Sequence, residues 1–315
     1  MEAIDLPYIK GVNFGYITQR GKFADEKAKE SMRIMAEETG ANTVVLIVMG
    51  YQETAHSEEI FFKGSPVPKK EEVVEMIDFA KTLGLKVILK PMLNCIDGTW
   101  RAYINFFDID VPCESKWCNW FRNYNQFILY YAQIAEETRC DGFVVGTELV
   151  MSQRRETEWR ALIGKVRDTY KGLLIYSTDK YQEGEVSWWD AVDVISASGY
   201  YPIDAWEKEL IRIKSVVERY NKPFVLMQVG CMSSKGSSLE PNNWQLEEHL
   251  DIEEQAQYFI EMFEKCKQHP WVRGFGIWQW NTHLYKKEFG AKQVGHEVYG
   301  KPACKVIKDF YNEMN

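Results

Sequence analysis

A chain of 315 residues has room for one large α/β domain or two smaller ones, and 45% hydrophobic with 27% charged residues supplies a sizeable core and a solvated surface. The net charge of −8 and pI near 5.4 exclude the basic face that a nucleic-acid partner would want, and the longest apolar run, Val44–Met49, is far too short to span a membrane. The first residues, MEAIDLPYIK, carry neither a basic stretch nor an apolar one, so no signal peptide is read and a cytoplasmic location is expected, a secreted one being the alternative if a signal has been removed. Seven cysteines without paired spacing read as reduced, buried thiols. Five histidines without an HExxH-like spacing imply no metal, and no other cofactor is implied.

Eight apolar runs of strand length follow one another along the chain. The first, GVNFGY (11–16), leads into the amphipathic stretch DEKAKESMRIMAEETG, which Gly40 is placed to stop. The second, TVVLIVMG (43–50), is followed by a long segment (51–70) and then by KKEEVVEMIDFAKTLG, ending at Gly84. The third, KVILKPML (86–93), precedes another long segment (94–116) and the longest helix candidate, Trp117 to Arg139. GFVVGTEL (142–149), LLIYSTD (173–179) and VISASGYY (194–201) come next, the last two joined by a brief connection around Trp188–Val192. FVLMQVG (224–230), a third long segment (231–250) and RGFGIWQW (273–280) complete the set. Compact β-branched runs alternating with helices mean parallel strands buried on both faces. Eight such units predict a single (β/α)₈ barrel spanning the chain, which typically needs roughly 250 residues. All three long segments follow strand C-termini, the face on which barrel enzymes carry their active sites.

The polar residues at those strand ends are the candidates for chemistry. They are Lys90 and Asn94 after strand three, Glu148 after strand four, Asp179 after strand five, Tyr200 after strand six and Gln228 in strand seven. Trp278 and Trp280 close strand eight; they share parity, so one of them could simply fill the barrel. Glu148 is the sharpest signal, because a carboxylate after a buried apolar run is costly without a purpose or a partner. A structural ion pair with Lys90 or Arg101 is the competing explanation. Glycosidic cleavage needs two carboxyl groups flanking the bond, roughly 5–5.5 Å apart when configuration is retained. Strands four and seven face each other across a barrel mouth, yet the second position, in PFVLMQVG, is an amide. Two other enzyme classes stay open. A desolvated Lys90 could form a Schiff base as in aldolases, and Glu148 with Asp179 could belong to a metal-dependent isomerase. Trp117, Trp120, Trp188 and Trp189 read as helix packing, while His283 and His296 flank the last loop without an assigned role.

The order Glu after strand four, a second acid in strand seven, Tyr after strand six and Trp in strand eight resembles that of clan A glycoside hydrolases. More narrowly, KGVNFGY, LKPML, DGTWRAYI, GTEL, SGYYPI and GIWQW, running from Gly11 to the last strand, look like glycoside hydrolase family 113. Known members of that family are mostly endo-β-1,4-mannanases. The resemblance implies a retaining double displacement on β-mannan or manno-oligosaccharides, with Glu148 as the general acid/base. It puts Gln228 where the family has its nucleophilic Glu, Tyr200 beside it, and Trp278 at the floor under the reacting sugar. Trp100 and Arg101, on the DGTWR loop, resemble subsite residues. Thr147 stands where many clan members have Asn to hold the sugar 2-hydroxyl, a role that could pass to Asn94. An amide cannot supply the attacking oxygen. An engineered Glu→Gln exchange, a sugar-binding pseudoenzyme and a substrate-assisted glycosidase are the three explanations.

Overall fold

The eight apolar runs form the eight parallel strands of a closed barrel. They are β1 (Ile9–Phe14), β2 (Thr43–Gln52), β3 (Lys86–Cys95), β4 (Gly142–Thr147), β5 (Leu173–Asp179), β6 (Val194–Ser198), β7 (Phe224–Val229) and β8 (Val272–Trp280). Neighbours in sequence are neighbours in space, and β8 closes on β1. The computed structural model describes residues 6–108, 111–246 and 249–314.

Around the barrel lie α1 (Glu26–Thr39), α2 (Lys70–Thr82), α3 (Glu114–Glu137), α4 (Glu156–Thr169), α5 (Trp206–Tyr220), α6 (Ile252–Lys267) and α7 (Pro302–Glu313). Asp25 caps α1 by accepting from the Lys27 N–H at 3.0 Å, and Gly40 stops it in the left-handed conformation at φ +66°. Between β5 and β6 two short 3₁₀ turns, Glu183–Glu185 and Trp189–Ala191, stand where the other units have a helix. The brief connection expected there is what the fold contains. None of the helices among the described residues is long and apolar enough to cross a membrane.

Strand alternation explains the double burial. In β2, Val44, Leu46 and Val48 pack outward against the helices, while Val45 lies inside the barrel. Ile47 and Met49, on the same inward parity, continue up to the mouth. In β3 the inward set is Ile88, Lys90 and Met92, so a lysine occupies the middle of the barrel. Trp117, Trp120, Trp188 and Trp189 belong to the outer layer, with Trp188 stacked on Trp159 at 5.0 Å. All seven cysteines are free, but Cys118 is exposed and Cys113 only half-buried, so the expectation of buried thiols holds for the other five.

Candidate active site

Each of the three strands that carry the central residues contains an irregularity near its C-terminal end. In β4, Val144 faces Ile175 while Gly146 faces Tyr176. Between β6 and β7, Ala197 faces Leu226 but the next residue, Ser198, faces Gln228. In β8, Ile277 faces Val12 and Trp280 faces Phe14. One extra residue shifts the alternation of faces by one position. In β7, Met227 therefore packs inside the barrel and Gln228 also turns inward, to its mouth. In β8, Trp278 joins Ile47, Met49, Met92 and Tyr200 at the mouth, whereas Trp280 turns outward. Its Nε1 donates to Ser31 Oγ at 3.1 Å and its ring lies edge-on to Tyr299. Trp280, expected at the sugar site, is thus part of the outer core.

The strand ends and long loops enclose a cavity of about 1000 Å³. That is the upper end of ordinary ligand sites, about 300–1,000 Å³. Asn94, Trp100, Arg101, Glu148, Asp179, Tyr200, Gln228 and Trp278 all line it. Lys90 does not. It is 0% exposed, beneath the floor, donating from Nζ to Gln228 Oε1 at 2.8 Å and to Asn13 Oδ1 at 3.3 Å. The direct substrate contact expected of Lys90 is corrected to support of Gln228. A Schiff base needs an accessible amine, which this position does not offer.

Glu148 sits just past β4 with φ +54°, a left-handed backbone that costs a non-glycine residue on the order of 1–3 kcal/mol and tends to mark functional positions. Its carboxylate is engaged on both oxygens. Oε2 accepts from Arg101 Nη1 at 2.5 Å and from Trp100 Nε1 at 3.1 Å. Oε1 accepts from the Gln228 amide at 3.0 Å. The turn at Asp97–Thr99 and the 3₁₀ turn Arg101–Tyr103 fold the β3–α3 segment back, and Arg101 Nε anchors on Leu93 O at 2.7 Å. Its second amino group reaches Asn94 Oδ1, and the Asn94 amide donates to Tyr16 Oη at 3.2 Å. The ion pair with Arg101 foreseen as an alternative therefore exists, and it lies inside the cavity wall.

Burial pushes the Glu148 carboxyl up, but the Arg101 guanidinium, the donors around it and the Lys90 charge outweigh burial and hold it below its ordinary range. Burial pulls the Lys90 ammonium down to about 7, against the opposing pull of Glu148. Burial, then the Glu148 charge, pushes the Asp179 carboxyl up to about 8. The Tyr200 hydroxyl lies close to the Gln228 amide without hydrogen-bond geometry, and burial raises it well above its ordinary value. Tyr200 Oη and Trp278 Nε1 are both buried at the cavity without a partner. Such groups are the ones a hydroxyl-rich ligand would satisfy. Thr147 Oγ1 is also unpartnered, but Thr147 does not line the cavity. Among the described residues no group of three or more His, Cys, Asp or Glu side chains is placed to hold a metal ion.

Sequence reading missed Trp244, in the β7–α6 segment. It is 46% exposed, lines the cavity and stacks on His296 at 4.0 Å. His296 is buried, which pulls its imidazole down to about 3 and keeps it neutral. Its Nε2–H donates to Pro241 O at 3.3 Å, pinning the loop under the Trp244 ring. A tryptophan in the polar run PNNWQ, within a long segment on the functional face, was the available signal.

With this geometry in view, the sequence profile of Glycoside Hydrolase Family 113 matches residues 12–301. The chain belongs to glycoside hydrolase family 113. It is a glycoside hydrolase in family and fold, and solved structures agree. A family 113 β-1,4-mannanase is 51% identical with a TM-score of 0.95, covering 98% of this chain and 99% of that one. A complex structure of a family 113 β-1,4-mannanase is 50% identical with a TM-score of 0.94, over the same shares. The family 113 β-mannanase AaManA from Alicyclobacillus acidocaldarius, in complex with ManMIm, is 36% identical with a TM-score of 0.94 over 99% of each chain. No curated protein matches the chain.

Proposed function

We propose that this chain has the site of a retaining β-1,4-mannanase, with Glu148 as general acid/base and position 228 as the nucleophile's place, and that Gln228 leaves it able to bind β-mannan while cutting it poorly. One observation carries this reading. Glu148 Oε1 and Gln228 Nε2 are 3.0 Å apart across the mouth. That contact suits the short carboxyl spacing of retention, roughly 5–5.5 Å, and leaves no room for the water of an inverting site at roughly 6.5–9.5 Å.

In the complete reaction Glu148 gives its proton to the glycosidic oxygen as that bond breaks, while a carboxylate at 228 bonds to the anomeric carbon. Water then attacks that carbon, its proton passes to Glu148, and the carboxylate leaves. Gln228 fills the same space but is neutral and cannot make the covalent bond. Mannan as the substrate rests on the family relatives, whose names state β-mannanase activity.

The deciding experiment is Gln228→Glu assayed on β-1,4-mannan, glucan and xylan oligosaccharides. Hydrolysis of the manno-oligosaccharides should rise by roughly 10³-fold or more, because a nucleophile acts within a unit. The first product seen by NMR should be the β-anomer. Inversion, or an inert variant, would remove position 228 from the nucleophile's role.

A further inference from the structure

Gln228 is held at both ends of its amide by charged side chains. Lys90 Nζ donates to the carbonyl oxygen Oε1 at 2.8 Å, and the amide nitrogen Nε2 donates to Glu148 Oε1 at 3.0 Å. A turned amide would set its own N–H groups on the ammonium and its oxygen on the carboxylate, so the orientation is fixed by charge. Other buried glutamines are held by neutral groups. Gln153 Oε1 accepts from the Tyr176 and Thr178 hydroxyls, and Gln52 lies between Trp120 Nε1 and Thr54 O. The Gln255 amide donates to Cys231 O and Gly295 O. None of these three has a cation on its oxygen and a carboxylate on its nitrogen.

Amide hydrolysis calls for that arrangement. A cation on the carbonyl oxygen stabilises the oxyanion formed when water adds, and a carboxyl group at the nitrogen supplies the proton that an amide needs in order to leave. Gln228 and Glu148 both line the cavity, which gives water access to the two together. We propose that Gln228 is a self-modification site, hydrolysed by water to glutamate in the folded chain through Lys90 and Glu148. The water oxygen bonds to Cδ while Glu148 takes one of its protons, and the carbonyl electron pair moves onto Oε1 beside the Lys90 ammonium. The oxyanion then collapses, the Cδ–Nε2 bond breaks, and Glu148 returns the proton to the departing nitrogen. The new carboxylic acid gives its own proton to the ammonia, so a carboxylate and an ammonium ion are the products.

The surroundings favour that product. Lys90 and Arg101 are both buried, and Glu148 is the anion paired with Arg101. Asp179, on the same cavity, is kept protonated at neutral pH by burial and by the Glu148 charge. A carboxylate at 228 gives Lys90 the anion that it lacks and sets two buried anions against two buried cations. The hydrolysis does not depend on what the cavity binds. Its consequence, a working nucleophile at 228, rests on the mannanase reading above.

The test is tandem mass spectrometry of the full chain, incubated folded and, in parallel, unfolded in urea. Gln228 is the only amide in residues 223–235, so conversion to an acid there is assigned directly. At neutral pH the folded chain should convert Gln228 roughly ten times faster or more than the unfolded chain does, and faster than it converts Gln153 or Gln255. Glu148→Gln should slow the conversion by about 10²-fold or more, and Lys90→Met by about 10²–10³-fold. Either substitution could disturb the fold, so pH in the parent chain gives a second readout. Hydroxide speeds amide hydrolysis in an unfolded chain, whereas the folded reaction should slow as pH rises through about 7 and Lys90 loses its proton. Glu148 and Arg101 are the charges acting on Lys90, and Arg101, Lys90, Asp179 and Lys180 lie around Glu148. An intact Gln228, equal rates folded and unfolded, a folded rate that climbs with pH, or a rate unchanged by both substitutions would each overturn the proposal. Conversion that leaves manno-oligosaccharides uncut would uphold it and overturn instead the nucleophile's place at 228.

Discussion

The two strand ends that meet at Glu148 and Gln228 are built alike and filled differently. At β4 a carboxylate faces a cation, Arg101, at 2.5 Å. At β7 an amide faces a cation, Lys90, at 2.8 Å. The first pair is neutral as a unit. The second leaves a buried ammonium facing a dipole, and its proton affinity falls accordingly, to about 7. Lys90 is therefore a partner awaiting a charge, and a carboxylate at 228 would fit this environment better than the amide present.

The largest effect that would sharpen this contrast lies in the Gln228→Glu background. There the Glu148 carboxyl and the new carboxyl at position 228 resist ionising together, so Glu148 should rise from its present lowered position. The pH–rate profile of this variant should be bell-shaped, with the acidic limb set by the nucleophile and the alkaline limb by Glu148. Adding Glu148→Gln should lower hydrolysis of mannan by about 10²–10⁴, the usual worth of a positioned acid/base. A substrate with an activated aryl leaving group should lose less in its first step, because that departure needs no proton. Equal losses on both substrates would deny Glu148 the acid's part.

Stability should separate the two cations. Arg101→Met strands a buried carboxylate and should cost about 3–5 kcal/mol. Lys90→Met in the present chain strands only the Gln228 and Asn13 oxygens, and should cost about 1–3 kcal/mol. Urea unfolding at neutral pH measures both. A Lys90→Met loss as large as that of Arg101→Met would contradict the contrast.

A third, smaller signature is the pH dependence of that stability. Lys90 is lowered in the folded chain from 10.5 to about 7, so between those values the unfolded chain binds the extra proton. Stability contributed by this group is absent below about 7 and grows as pH rises towards 10.5, with a slope of at most about 1.4 kcal/mol per pH unit. In Gln228→Glu the new anion should raise Lys90 and flatten that slope. Unfolding free energies compared between pH 7 and 10 test it, and parallel curves for the two proteins would count against a charge at 228 reaching Lys90.

The sequence made the frame of this site readable and hid its aim. Eight apolar runs, their helical partners and the brief β5–β6 connection followed from periodicity and punctuation alone. Glu148, Tyr200 and Trp278 could be placed at strand ends in the same way, whereas Arg101, on the DGTWR loop, followed from the family resemblance. What could not be read was parity. The irregularities in β4, β7 and β8 insert single residues with no side-chain signature, so Trp280 looked like a companion of Trp278 and is not. Lys90 was legible as a barrel residue, but its depth below Met92 follows from strand register, which only the closed barrel fixes. Trp244 reaches the cavity through the loop contact with His296, a pairing 52 residues apart in sequence that no local pattern encodes.

Asp179 gives the smallest test and the one nearest the contrast of charged and neutral strand ends. It closes β5, lines the cavity, and is pushed up to about 8 by burial and by the Glu148 charge. Between its ordinary 3.8 and about 8, the folded chain therefore keeps a proton that the unfolded chain has released. Its contribution to stability is lost as pH rises through that window, the opposite sign from Lys90 above neutrality. Lys180 beside it, itself lowered by burial, offsets part of the effect. Asp179→Asn removes the titrating group and keeps its shape, so the variant should gain on the parent as pH rises from about 4 to 8, by on the order of 1 kcal/mol. The gain should shrink when Glu148 is also neutral, as in Glu148→Gln, because one of the two causes has gone. Thermal unfolding of the four proteins at pH 4, 6 and 8 closes the cycle, and a gain unaffected by Glu148→Gln would leave burial as the whole cause.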